Sequence, residues 1–158
     1  MLIRPSTKDD LGAVDALLAR TYPKLLKADY RPSVLVTALP IISRARPELL
    51  GCGTYYVAEE DGEVLGAGGW TPDRQDERLG HIRHVVTDDR ALRRGVGRAL
   101  MQRSCDVARA AGMTRMECWA TRTAVPFYTA LGFTEVGLID VPLGDGIVFP
   151  SIRMMRDL

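Results

Sequence analysis

At 158 residues the chain has the length of one domain with one good core. Its 46% hydrophobic and 26% charged content is ordinary for a soluble globular protein, and no apolar run is long enough to span a bilayer. Lys plus Arg (21) against Asp plus Glu (20) leaves +1, so the totals carry no electrostatic footprint for nucleic acid. Cys52, Cys105 and Cys118 are odd in number and lack metal-ligand spacing, which points to reduced thiols in a cytoplasmic protein with no metal site. Cys105 and Cys118 read as small core residues.

Residues 2–4 predict a short opening strand. Asp9 and Asp10 mark a helix start, with Leu11, Val14, Leu17 and Leu18 following at helical spacing. Tyr22-Pro23 is expected to break that helix. A second helical stretch carries Leu25 and Leu26, and Arg31-Pro32-Ser33 restarts toward Ile42, with Pro40 ending or kinking it. Residues 54–59 and 64–70 read as strands joined by a turn at Asp61-Gly62. A strand at 79–87 precedes a helix at 95–111 that Gly112 closes. A strand at 113–120, a short helix at 123–131 closed by Gly132, and strands at 133–138 and 147–155 complete the chain. The order describes a mixed α/β domain over 1–158, with an antiparallel front half and one parallel crossover. Val85-Val86 and Glu117-Cys118-Trp119 are expected to lie side by side as parallel neighbours.

The chemistry concentrates where the strand at 79–87 runs into the helix. Arg93-Arg94-Gly95-Val96-Gly97-Arg98 is a basic glycine turn at a helix start. Free N–H groups at the positive end of a helix dipole suit a phosphate or pyrophosphate. Gly95 and Gly97 permit close backbone approach, while Arg93, Arg94 and Arg98 add charge-assisted donors. A P-loop is excluded because no Lys follows the glycines, and a dinucleotide fingerprint because Arg98-Ala99-Leu100 follows Gly97.

What fits is Arg94-Gly95-Val96-Gly97-Arg98-Ala99, as Gln/Arg-x-x-Gly-x-Gly/Ala, followed one helix and one strand later by Ala124, Phe127, Tyr128, Gly132 and Phe133, as Ala-x-x-Phe-Tyr-x-x-x-Gly-Phe. Through these two motifs residues 79–138 resemble the GNAT superfamily of acyl-CoA N-acyltransferases. The nearer resemblance is to small bacterial acetyltransferases with Arg-His-Val at the strand end and Val-Pro-Phe-Tyr in the later helix. It extends to Val141-Pro142-Leu143-Gly144. The resemblance implies a mostly antiparallel sheet of six to seven strands, a V-shaped splay between two parallel central strands, and helices on both faces.

It also implies roles. His84, Val85 and Val86 would line the pantetheine arm of acetyl-CoA, and an N–H near His84 or Val85 would polarise the thioester. Arg93, Arg94, Gly95, Val96, Gly97, Arg98 and Ala99 would hold the pyrophosphate. Tyr128, beside Phe127, would face the sulfur as general acid. Two positions depart from the family: Asp88 stands where Pro is frequent, and Thr121 where Asn is usual, so the cofactor contact of Thr121 rests on a hydroxyl alone.

His81 and His84 lie three apart in one strand, hence roughly on opposite faces, which argues against a shared metal. His84 either takes the amine's proton or is fixed to backbone; Glu77 and Glu117 are weaker bases. Tyr22, Trp70 and Phe149 are the acceptor-site candidates, each equally readable as core or edge. Arg20, Arg44 and Arg46 read as solvated helix faces, with an acidic acceptor held by one of them as the alternative. The expected activity is acetyl transfer from acetyl-CoA to a primary amine of a small molecule or amino acid, in a ternary complex. The alternatives are a protein, peptide or aminoacyl-tRNA acetyltransferase and a non-catalytic acyl-CoA sensor. A homodimer is expected; nucleic acid and membrane are not.

Overall fold

A computed structural model describes residues 1–158 around a seven-stranded sheet with strand order β1-β2-β3-β4-β5-β7-β6. The elements are β1 (Leu2–Pro5), α1 (Leu11–Leu26), α2 (Pro32–Ile42), α3 (Pro47–Leu50), β2 (Tyr55–Glu60), β3 (Glu63–Pro72), β4 (Leu79–Thr87), α4 (Val96–Ala110), β5 (Arg115–Ala120), α5 (Val125–Ala130), β6 (Thr134–Gly144) and β7 (Ile147–Asp157). Only β4 and β5 pair in parallel. α4 is the crossover between them, as its amphipathic pattern after a strand requires. No helix is long and apolar enough to cross a membrane.

α1 starts from a 3-10 turn at Lys8–Asp10 in which Thr7 Oγ1 accepts from the Asp9 N–H and Asp10 accepts from the Thr7 N–H. Contrary to expectation it runs through Tyr22-Pro23 to Leu26. An interior proline costs about 3 kcal/mol. The helix also buries Val14, Leu17, Leu18 and Leu26, each contributing about 1.5–3 kcal/mol, and burial wins. α2 likewise contains Pro40 and ends two residues later. α3, which periodicity is too short to reveal, starts on Pro47 at a position where the missing N–H has no helical partner to lose.

Helices cover both faces of the sheet. Val96, Leu100, Met101, Cys105 and Ala108 of α4 pack with Tyr56, Trp70, Met116 and Cys118. On the other face Val14, Leu17 and Leu18 of α1 and Leu49 and Leu50 of α3 meet Tyr55, Val57, Ala67 and Val86. α2 closes a smaller cluster on β7 through Tyr30, Leu35, Ala38 and Phe149. Cys105 and Cys118 are core residues, Cys52 is exposed, and all three are free thiols.

β4 and β5 pair only at Leu79↔Arg115, Gly80↔Met116 and His81↔Glu117. Beyond His81 they diverge. Val85-Val86 therefore lies in the open part of the V, not beside 117–119 as expected from the strand order. β6 extends past residue 138 to Gly144 and returns through a tight turn with Asp145 and Gly146 both at positive φ (52° and 74°). Asp-Gly is the sequence signature of that turn.

Candidate active site

A cleft of about 600 Å³ opens where β4 leaves β5, lined among others by Val85, Val86, Cys118, Phe127 and Tyr128. β4 is distorted at its mouth. Ala67 pairs with Val86 and Gly69 with Arg83, so Gly68 faces both His84 and Val85, and His84 sits at φ 44°. This is a β-bulge, which shifts the alternation of everything beyond it. Ile82 and Val85 both turn to the α4 side, while Val86 packs on α1. The expectation that His81 and His84 face opposite ways fails for this reason. Both rings line the same cleft.

Left-handed backbone at a non-glycine residue costs about 1–3 kcal/mol and persists only where its surroundings over-determine it. Here they do. The Tyr55 hydroxyl donates to the His84 carbonyl, and Tyr22 Oη donates to the Val85 carbonyl at 2.9 Å. His84 Nε2 lies 2.7 Å from the Ile42 carbonyl, which can only accept, so Nε2 carries the proton and Nδ1 is the free nitrogen. Burial lowers the His84 pKa, keeping the ring neutral.

Asp88, in the place of the family's frequent Pro, anchors the turn that follows. Its carboxylate accepts from the Arg90 N–H at 2.9 Å and pairs with Arg20 (2.8 Å) and Arg90 (3.0 Å). Arg90, Arg20 and the amide together hold this buried acid at about 2. Arg93 and Gly95 then take positive φ (68° and 78°), and Gly95 is the residue from which α4 starts. None of the backbone N–H groups of residues 92–98 has a hydrogen-bond partner within the chain. Ala99 is not among these donors, because its N–H already bonds the Gly95 carbonyl at 3.0 Å. Arg94 pairs with Glu60, whereas the guanidinium groups of Arg93 and Arg98 have no acidic partner.

Gly97 has a second job beside the one its spacing suggests. A Cβ there would lie 2.9 Å from the Phe127 ring and 3.2 Å from Thr87 Oγ1. Its missing side chain admits Phe127, and so the two sequence motifs touch. Phe127, Tyr128 and Phe133 stack edge-on in succession, with centroids 5.0 and 5.5 Å apart. Tyr128 is buried with its edge on the cleft and Cys118 beside it. Burial, with Cys118 adding to it, pushes the Tyr128 pKa well above 10. The Cys118 thiol is pushed up by burial too. Thr121 lines the cleft, and its hydroxyl accepts from the Ala124 N–H at 3.2 Å, so it shapes the turn before α5.

On the acceptor side, Tyr22 and Phe149 line the cleft, Phe149 stacked on Tyr30 at 4.5 Å. Trp70 does not. It is buried beneath α4 against Gly80 and Met116, because it falls on the sheet face opposite Thr71 and His81. Glu117 reaches the cleft but is engaged by Arg153 (2.9 Å) and Trp119 Nε1 (2.7 Å). Burial raises its pKa, yet those two partners outweigh it and the net shift is downward. Glu77 and Arg44 do not line the cleft; Arg46 does, as do Arg83 and Trp119, which sequence reasoning passed over. No periodicity marks these three. Arg83 is in reach because it lies two residues beyond His81, hence on the same face of β4.

Residues 19–133 match the acetyltransferase (GNAT) family, and the chain belongs to that family. A 60-residue segment is 33% identical to glucosamine 6-phosphate N-acetyltransferase of Trypanosoma brucei brucei, covering 38% of this chain and 41% of that protein's length. Among solved structures, PaiA N-acetyltransferase of Thermoplasma acidophilum, crystallised with coenzyme A, superposes with TM-score 0.77 at 12% identity over 99% of this chain and 98% of its own. A GCN5-related N-acetyltransferase of Rhodopseudomonas palustris gives 0.79 at 17% identity over 99% and 95%. At such identities the likeness is one of fold.

Proposed function

We propose that the chain transfers an acetyl group from acetyl-CoA to a primary amine of a small molecule or amino acid, by direct attack in a ternary complex. One observation carries this reading: a run of unpaired N–H groups at the start of α4 packs against Phe127, at the rim of one splayed, largely apolar cleft that Leu92, Phe127 and the proton-bearing phenol of Tyr128 line. The residues present suit coenzyme A. Backbone N–H groups of Arg93, Arg94, Gly95, Val96, Gly97 and Arg98 would hold its pyrophosphate, reinforced by the two unpaired guanidinium groups. His84, Val85 and Val86 would line its arm.

Acetyl-CoA supplies an activated acyl group and a thiol leaving group. An N–H near His84 or Val85, on the bulge whose two carbonyls the tyrosines hold, would polarise the thioester carbonyl. A donor aimed at a developing oxyanion contributes about 3–4 kcal/mol. Tyr128 retains its proton until negative charge builds on sulfur. In water, transfer from a phenol (about 10) to a thiolate (about 8.5) is uphill by about 2 kcal/mol. The proton therefore moves as the C–S bond breaks, or Tyr128 hydrogen-bonds the sulfur; the Cys118 thiol beside it is also pushed up by burial.

No carboxylate is free to act as base. Glu117 is paired, and His84 offers only Nδ1. At pH 7 an α-amine is neutral to about 10–15% and a lysine amine to about 0.04%. With no free carboxylate and only Nδ1 of the buried His84 as candidate base, an α-amine or small amine is favoured over a lysine side chain. A second copy of the chain as partner draws support from Val136 and Leu138, which are exposed on the edge strand β6.

The reading is tested by following CoA release with a panel of amines, amino acids and peptides, alongside calorimetry with acetyl-CoA. Amine-dependent release that Tyr128→Phe abolishes is the expected result. Binding without turnover on any class would favour the sensor, and turnover on peptides alone would favour protein modification.

A further inference from the structure

We infer that the acceptor amine carries an anionic group of its own, a carboxylate or a phosphate, gripped by Arg83. The inference deepens the acetyl-transfer reading and rests on it. Arg83 is half-buried on β4, two residues beyond the last parallel pair, and lines the cleft. Its Nε donates to Thr71 Oγ1 at 2.8 Å, which fixes the plane of the guanidinium. Its two terminal nitrogens have no partner in the chain, and no acid forms an ion pair with it.

The two carboxylates close enough to act on it are both committed. Asp73 is taken by His81 at 2.7 Å and by the N–H groups of Gln75 and Asp76 at 3.0 and 2.9 Å. Glu117 is taken by Arg153 and Trp119. The remaining charged neighbours, Arg46 and Arg74, are cations. Burial first, then these two, lower the Arg83 pKa. An arginine does not lose its proton to escape such a position. A partly desolvated cation with two cationic neighbours, and with its nearby carboxylates held by other donors, is unfavourable unless an anion completes it. The planar fork matches a carboxylate or phosphate by two parallel hydrogen bonds.

Position limits the ligand further. Arg83 is two residues from Val85, and the bulge at His84 keeps the two within the span of an extended strand, about 6–7 Å. A group held by Arg83 and an amine reacting beside the bulge must therefore belong to one small molecule. Arg46, exposed on the facing wall just before α3, adds a second positive charge to that end of the cleft.

The test measures CoA release by the full-length chain at saturating acetyl-CoA with matched amine pairs: amino acids against their primary amides, and glucosamine 6-phosphate against glucosamine. The anionic member of one pair is expected to have kcat/KM at least about tenfold higher, the range for hydrogen bonds to charged groups. Which pair shows it tells carboxylate from phosphate. Arg83→Gln should bring the ratio within that pair close to one, and Arg83→Lys should keep an intermediate ratio. A purely structural role for Arg83 would lower both members together and leave the ratio unchanged. That result, or a wild-type ratio near one in every pair with turnover intact, overturns the inference and spares the transferase reading. No release from any amine overturns the transferase reading itself, and the inference with it.

Discussion

Where β4 runs into α4, at the rim of the cleft, the unpaired N–H groups of residues 92–98 are backbone donors, which the guanidinium groups of Arg93 and Arg98 reinforce. The facing wall presents side chains from separate segments: Tyr22 of α1, Arg46 before α3, and Phe149 of β7. A backbone site needs glycine and local turn geometry, which a short motif records. A side-chain site needs only that distant segments converge. The first can stay constant while the second is rebuilt, which is how one fold serves many acceptors.

The sharpest way to break this division is Tyr128→Phe. Turnover should fall about 100-fold or more, the usual contribution of a positioned acid, while the acetyl-CoA Kd from calorimetry stays within about threefold. Equal loss of both would assign Tyr128 to the binding wall. Next comes Gly97→Val, which drives a branched side chain into Phe127. We expect a loss of about 1–3 kcal/mol in urea unfolding together with weaker acetyl-CoA binding. Combining it with Phe127→Ala should recover part of that loss, as coupled neighbours do.

Smaller effects separate the arginines. Arg98→Ala should weaken acetyl-CoA binding about five- to tenfold. Arg94→Ala should weaken it no more than about twofold, since Arg94 must first leave its exposed pair with Glu60. Asp88 gives the mildest test. Its folded pKa of about 2 lies below the ordinary 3.8, so its contribution to stability is full above about pH 4 and is lost as pH falls through about 2. The Tm difference between Asp88→Asn and wild type should therefore be largest near neutrality and shrink across that window.

Much of this was legible in the chain. The hairpin at Asp61-Gly62, the strand before the glycine turn, α4 and α5 all follow from local signals. So do the two motifs and the residues that carry them. The misses share a cause, namely that tertiary packing overrode a local rule. Pro23 sits inside α1 because four apolar residues are buried around it. Trp70 lies under α4, since strand parity, set by the pairing of β3 with β4, points it there. The bulge at His84 leaves no compositional trace, yet it decides that His84 joins His81 and Arg83 in one cleft. β6 beyond residue 138 was within reach, for Gly144-Asp145-Gly146 is a turn signal between apolar residues.

The interlock of Gly97 with Phe127 has a practical corollary for anyone recombining these enzymes. Segments carrying the nucleotide-gripping loop and the proton-donating helix are separated by some thirty positions, which invites exchanging them one at a time between homologues. A donor sequence with alanine in the first would collide with the ring of the second, so hybrids should inherit both pieces from one parent.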